Sequence, residues 1–188
     1  MPRRPHSPMA LALASALLVT AAPPALAAGD AVANLEAYAA YKMGRFAEAR
    51  ERWEALAARG NTTAMINLAN LYEQGQGVPV DAARAGAYTR DAAEAGDPRA
   101  QYQLAMAYER GAGVPHDLDA AARWLERAAR QDEVDAQFAL GVLLATGKGA
   151  GPAAATPDEI AAARTWLERA DAAGHPEAAA YLAGLDGE

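Results

Sequence analysis

Apolar residues recur along the chain with the spacing of an amphipathic helix, and the whole pattern returns at a fixed interval. Ala64, Leu68, Ala69 and Tyr72 follow one another at steps of four, one and three residues, which places them on one helical face. Equivalent residues return after 36 positions. The matching sets are Ala64, Ala100 and Ala136; Leu68, Leu104 and Leu140; Gly75, Gly111 and Gly147; and Gly77, Gly113 and Gly149. The pattern predicts a series of similar units, each opening with a helix that buries its apolar face.

The segments "YEQGQGVPVD" (72–81) and "YERGAGVPHD" (108–117) separate the apolar runs and predict a turn between two helices. Gly75 stands where the apolar periodicity stops, and glycine adopts the left-handed conformation that ends a helix at little cost. Pro79 prevents an early restart, and the carboxylate of Asp81 is suited to cap the next helix. The second segment repeats the arrangement with Gly111, Pro115 and Asp117. Each unit is therefore predicted to be a helix, a loop and a second helix.

The last full unit has a longer loop. Its Trp166 and Gly174 are shifted by six positions because "GPAAATPDEI" (151–160) carries an insertion. Residues 156–159 form a capping-box pattern with proline at the first helical position. Asp97-Pro98 and His175-Pro176 are predicted to open two further helices in a similar way. The predicted units are residues 33–60, 64–99, 100–135 and 136–177, followed by a capping helix at 178–185.

The repeated residues resemble the Sel1-like repeat family, a branch of the tetratricopeptide-like helical repeat proteins, over most of residues 64–177. The family pattern A-x-x-x-L-G/A-x-x-Y-x-x-G-x-G-V-x-x-D, followed by A-x-x-W/Y-x-x-x-A-A-x-x-G, is matched in spacing in several units. The resemblance implies an all-α fold, a right-handed α/α superhelix (solenoid) of about four helix-loop-helix repeats whose stacking buries a continuous core. Residues 33–60 lack the Gly-x-Gly-Val-Pro loop and are closer to a plain tetratricopeptide repeat. Ala150 stands in place of the valine of the pattern and Asp132-Glu133 in place of the glycine turn, which predicts a less tight junction between the third and fourth units.

The first 28 residues differ in composition from the rest of the chain. Basic residues at positions 3, 4 and 6 precede an apolar run from about Met9 to Ala22, and "ALAA" (25–28) ends the segment. This pattern is typical of a secretory signal peptide, and the run is shorter than the ~18–20 residues of a membrane span. We expect cleavage near Ala27 or Ala28, a periplasmic or secreted mature protein, and no stable membrane anchor.

Charge and composition exclude several classes of function. Removing the predicted leader lowers Lys plus Arg from 17 to 15 and leaves Asp plus Glu at 24, so the net charge changes from -7 to -9. This acidic balance argues against a nucleic-acid partner. The chain has no cysteine, and its serines, Ser7 and Ser15, both lie in the leader, so the mature chain has neither Ser nor Cys to act as a nucleophile. His116 and His175 stand in different units without metal-ligand spacing. We therefore predict no catalytic residue, no cofactor and no metal.

A second face of the first helices is predicted to line a groove. This face lies about half a helical turn away from the core positions. In tetratricopeptide-like solenoids, it lines the concave groove. The candidate groove residues are Ile66, Asn70, Glu73, Tyr102, Met106, Glu109, Phe138 and Val142. An apolar strip edged by carboxylates suits a peptide or helix with apolar anchors and some basic residues. Alternatively, Tyr102 and Phe138 do not line a groove but pack under the second helix of the preceding unit as part of the hydrophobic core.

These observations favour a non-enzymatic interaction scaffold or adaptor of the cell envelope. Its partner is predicted to be another protein, which places a peptide or helix segment in the concave groove. Two alternatives remain open: a protein that binds or acts on cell-wall glycan, and a secreted effector that binds a host protein. A glycan-acting enzyme would need a pair of inward-facing carboxylates in a closed cleft, and the sequence suggests none.

Overall fold

The computed structural model of the protein describes residues 24–147 and 155–186, and all regular secondary structure within them is α-helical. The helices are α1 (Pro24–Lys42), α2 (Phe46–Ala57), α3 (Thr62–Gln74), α4 (Ala82–Glu94), α5 (Pro98–Arg110), α6 (Leu118–Ala129), α7 (Val134–Ala145), α8 (Pro157–Ala172) and α9 (Ala178–Asp186). Residues 1–23 of the predicted signal peptide lie outside the described residues.

Each helix packs mainly against the helix before it and the helix after it in the chain. This is the contact pattern of a solenoid, in which every unit is stabilised by its neighbours. The predicted all-α solenoid is confirmed. Among the described helices, none combines the length and the apolar character needed to cross a membrane.

Most predicted helix starts are confirmed by side-chain caps. Asp81 Oδ1 accepts a hydrogen bond from the backbone N–H of Arg84 at 3.0 Å, and Asp117 caps α6 in the same way at 2.8 Å. Asp97 caps α5 through the N–H of Ala100. Thr156 and Glu159 form the predicted capping box at the start of α8. These bonds satisfy backbone donors that have no partner within the helix.

The prediction for His175-Pro176 is wrong in its position, because α9 begins two residues later, at Ala178. His175 does act locally as an acceptor: its Nδ1 receives a hydrogen bond from the N–H of Glu177 at 3.3 Å. The backbone after His175 forms a turn before the helix starts. The imidazole side chain is left to make contacts elsewhere, which are described below.

The helix ends show where glycine is needed and where it can be replaced. Gly75 and Gly111 end α3 and α5 in the left-handed conformation, both with φ of 67°. Asp132 has φ of 61°, and its N–H bonds the carbonyl of Ala129 as the N–H of Gly96 bonds that of Ala93. The predicted looser junction at Asp132 is therefore wrong, because an aspartate tolerates this conformation and preserves the turn.

Small residues allow the helices of one unit to approach closely. Gly141 on α7 is the clearest case: a Cβ placed there would lie 2.6 Å from Leu167 Cγ on α8. The equivalent positions in the preceding units are Ala69 and Ala105, which are both buried. The pair α7–α8 therefore packs closer at this point than an alanine side chain would permit.

Two buried glutamines bind successive units together. Gln101 on α5 donates its Nε2 hydrogen to the carbonyl of Ala93 at 3.1 Å, and Gln137 on α7 donates to the carbonyl of Ala129 at 3.2 Å. Each bond runs from the first helix of a unit to the end of the helix before it. Both side chains are almost fully buried, so these bonds satisfy carbonyls that water does not reach.

Candidate functional site

An open cavity of about 420 Å³ lies between α5, α6, α7 and the segment that precedes α9. Five of the eight predicted groove residues line it: Tyr102, Met106, Glu109, Phe138 and Val142. Helix α6 contributes Leu118, Ala121 and Leu125 to the same cavity. The repeat geometry therefore brings the predicted positions of two consecutive units to one place.

The other three predicted residues lie outside this cavity. Ile66 is half-buried and packs on a cluster that includes Ala100 and Leu104 of α5. Asn70 is half-buried, whereas Glu73 is exposed. The predicted groove residues are thus divided. Those of the third and fourth units line a cavity, whereas Ile66 of the second unit packs against α5.

Phe138 is held between residues that follow it in the chain. Its ring stacks on the imidazole of His175, with centroids 4.0 Å apart and planes inclined by 15°. The ring of Tyr181 meets it edge-on at 6.0 Å. Tyr102 packs on a core cluster formed largely by α6 and α7. Both predicted aromatic residues are half-buried, so they are neither a fully exposed row nor enclosed core.

The cavity is strongly acidic. Glu109, Asp135 and Glu177 line it, and all three are exposed. Among the described residues that line the cavity there is no lysine or arginine; His175 lines it, and its Nε2 lies 3.8 Å from Asp135 Oδ1. Burial, aided by the negative charges of Asp135 and Glu109, raises the pKa of Tyr102 above its ordinary value.

A fourth carboxylate lies beside the cavity. Glu133 precedes α7, and burial together with the charge of Asp135 raises the pKa of its carboxyl group, although Arg99 acts in the opposite direction. Burial is the main cause of both raised pKa values, and the negative charge of Asp135 adds to each. Such a field favours a cationic group and disfavours an anionic one at this position.

Sequence reasoning missed Asp135, His175 and Glu177 as cavity residues. A signal for two of them exists: Asp135 and Glu177 are 42 residues apart, the interval that also separates Trp124 from Trp166. They are therefore equivalent positions in consecutive units. His175 was assigned to a cap because proline follows it, and nothing in the local sequence indicates that its ring would cover Phe138.

The described residues contain no group of three or more histidine, aspartate or glutamate side chains arranged to hold a metal ion. What the cavity offers is shape, two aromatic side chains and a carboxylate rim. These features suit recognition of a side chain or short segment.

Comparison with known families finds the Sel1 repeat at residues 62–97, 98–133 and 134–175. The three matched segments correspond to the helix pairs α3–α4, α5–α6 and α7–α8. Sel1 repeats generally mediate protein binding, and the fold is typically non-catalytic. No functionally curated protein matches the chain.

The solved structures that are similar to this chain include two proteins with the same kind of repeat. The Sel1 repeat protein from Oxalobacter formigenes is 35% identical, with a TM-score of 0.66 over 73% of this chain and 38% of its own. A protective antigen present in uropathogenic Escherichia coli strains, displaying an SLR fold, is 31% identical, with a TM-score of 0.61 over 70% of this chain and 27% of its own. The chain thus spans well under half the length of either neighbour.

Proposed function

We propose that this chain, which belongs to the Sel1 repeat family, is a non-enzymatic scaffold of the cell envelope that holds a segment of a partner protein. The observation that supports this function best is the cavity, because side chains from two consecutive repeats and from the segment that precedes α9 meet there. A site shared by several units is a typical product of repeat stacking. The partner segment enters between α5 and α7 and contacts Tyr102, Met106 and Val142.

The chemistry of the site supports binding over catalysis. Its lining is apolar and aromatic with a polar rim, which is the usual composition of a recognition pocket. The chain contains no cysteine, and both serines precede the predicted mature start, so a Ser or Cys nucleophile is lacking there.

A site-specific cross-linking experiment tests the scaffold function. A photoreactive phenylalanine analogue is placed at Glu109, an exposed residue of the cavity rim, and separately at Glu94, an exposed residue of α4 that does not line the cavity. In the native host, light is expected to produce a discrete protein adduct from position 109 and none from position 94. Equal adducts from both positions, or none from position 109, would contradict a partner site at the cavity.

The envelope location is tested separately. Export predicts that the chain released from the periplasm by osmotic shock begins near residue 28 or 29, as measured by intact mass. The ion pair between Asp30 and Arg59, at 2.8 Å, lies after this cleavage point and would be retained. A Leu17→Arg/Leu18→Arg variant should stay unprocessed because charges disrupt the apolar run. Normal processing of that variant would count against the leader.

A further inference from the structure

We infer that the cavity between α5 and α7 takes an arginine side chain of the partner, with its guanidinium among Tyr102, Glu109 and Asp135. The inference deepens the proposed function and rests on it. It specifies which residue of the partner enters the cavity, which the fold alone does not determine.

The negative charge of the cavity rim favours a cationic side chain of the partner. The rim has three carboxylates, Glu109, Asp135 and Glu177, and no described lysine or arginine lines the cavity. Within the described part of the chain, Glu109 has no ion-pair partner, although many other carboxylates do. Arg110 is nearby in sequence, but its Nε donates to the carbonyl of Met106 in its own helix. Asp135 lies 3.8 Å from Nε2 of His175, which balances its charge only when the imidazole is protonated. A partner cation would therefore meet in Glu109 a carboxylate that has no ion-pair partner within the described part of the chain.

The aromatic lining of the cavity favours a guanidinium over an ammonium. Tyr102 and Phe138 line the same space as the carboxylates, and one face of the Phe138 ring is covered by His175. A guanidinium stacks on an aromatic ring and at the same time donates in its plane to carboxylates, whereas an ammonium is a strongly hydrated point charge. A site that offers both a ring and several carboxylates is therefore better matched to arginine than to lysine.

The chain uses this pairing repeatedly elsewhere in its own fold. The guanidinium of Arg127 lies 4.5 Å from the ring centroid of Trp124, and that of Arg169 lies 5.1 Å from the ring of Trp166. Arg84 lies 5.3 Å from the ring of Tyr72 and donates to its hydroxyl at 3.0 Å. In the cavity, the aromatic and acidic elements are present and the arginine is missing from the lining.

The size of the cavity suits one long side chain. About 420 Å³ lies at the lower end of the range of ligand pockets, enough for one long side chain and its immediate neighbours. Leu118, Leu125 and Leu143 supply apolar lining for the methylene stem. The stem and the charged end of an arginine thus find matching surroundings in one place.

Nuclear magnetic resonance titration with short peptides tests the inference on the full chain. The probe is a blocked pentapeptide with a central arginine flanked by leucines and alanines, compared with versions containing lysine or the neutral isostere citrulline. Affinity is expected to fall about tenfold from arginine to citrulline, because the charge-assisted bonds are lost. The shifted resonances should include Tyr102 and Val142. Equal affinity for arginine and citrulline, or no binding at millimolar peptide, overturns the inference.

A pair of variants with the same charge change supplies the control. Glu109→Gln/Asp135→Asn removes two cavity carboxylates and is expected to weaken arginine-peptide binding about tenfold. Asp91→Asn/Glu94→Gln removes two exposed carboxylates of α4 and should leave binding unchanged. Equal weakening in both would indicate a general charge effect and overturn the arginine site. Circular dichroism establishes that each variant is folded.

The peptide and cross-linking results separate the two proposals. A protein adduct at position 109 without arginine preference keeps the scaffold function and overturns the arginine anchor. The absence of both the adduct and the preference overturns both.

Discussion

Asp97 and Glu133 occupy equivalent positions before α5 and α7, but only the aspartate caps its helix. Asp97 Oδ1 accepts a hydrogen bond from the N–H of Ala100 at 3.0 Å, whereas Glu133 makes no side-chain cap. The corresponding residue before α3, Asn61, caps through the N–H of Ala64 at 3.0 Å. The extra methylene of glutamate is the chemical difference, since short side chains are preferred at this position.

Glu133→Asp should therefore stabilise the chain. The shorter carboxylate can accept from the N–H of Ala136, and a helix cap contributes about 0.5–2 kcal/mol. The reciprocal variant, Asp97→Glu, should destabilise by a similar amount. Urea unfolding followed by circular dichroism measures both, and a change of the same sign in the two variants would contradict the capping argument.

The raised pKa of Glu133 predicts an acid-side dependence of stability. Between the unfolded pKa of about 4.5 and the higher folded pKa, the folded chain retains a proton that the unfolded chain has released. The stability linked to this proton is complete below the unfolded pKa and is lost as pH rises through the folded pKa. Glu133→Gln should therefore gain stability relative to wild type between pH 4.5 and pH 7, measured as the shift in urea midpoint. A shift that is the same at pH 4 and pH 7 would show that the charge of Glu133 is not the cause.

Gly141→Ala should destabilise the chain although alanine favours helices. The added methyl group would meet Leu167 Cγ at 2.6 Å, and overpacking of a core typically costs about 1–3 kcal/mol. Gly86 in α4 supplies the matched control, because a Cβ there meets nothing within 4 Å. Gly86→Ala should stabilise by about 0.5–1 kcal/mol through helix propensity alone. Thermal unfolding of the two variants should therefore give shifts of opposite sign.

Replacing His175 should loosen the C-terminal cover of Phe138. The stacked pair is worth about 0.5–1.5 kcal/mol beyond its buried area. His175→Ala is expected to lower stability by at least that amount, and His116→Ala, at an exposed loop residue, should change it by less than about 0.5 kcal/mol. Hydrogen exchange at α9 should increase in the first variant. Unchanged exchange there would indicate that the stacking does not hold α9 in place.

Local rules account for most of the fold that could be predicted. The apolar spacing around Leu68, the turn at Gly75 and the cap at Asp81 depend on neighbouring residues, and the structure has each as expected. The errors arise where side-chain chemistry outweighs a sequence pattern. Asp132 adopts a conformation typical of glycine, and Pro176 follows a residue that stacks on Phe138 without opening a helix.

The candidate site was only partly predictable for a different reason. Tyr102 and Phe138 follow from the repeat spacing, because equivalent positions stack in a solenoid. The cover provided by His175 depends on how the chain turns after α8, and the insertion before Thr156 shifts that turn in sequence. Contacts between a unit with a lengthened loop and the segment that follows it are not encoded in the repeat spacing.

The cavity also bears on the mechanics of the solenoid. Its walls belong to α5 and α7, which lie in successive units joined through α6, so the width of the cavity depends on the angle between those units. A ligand that contacts both α5 and α7 would hold the two units at one angle and so fix the local curvature of the solenoid.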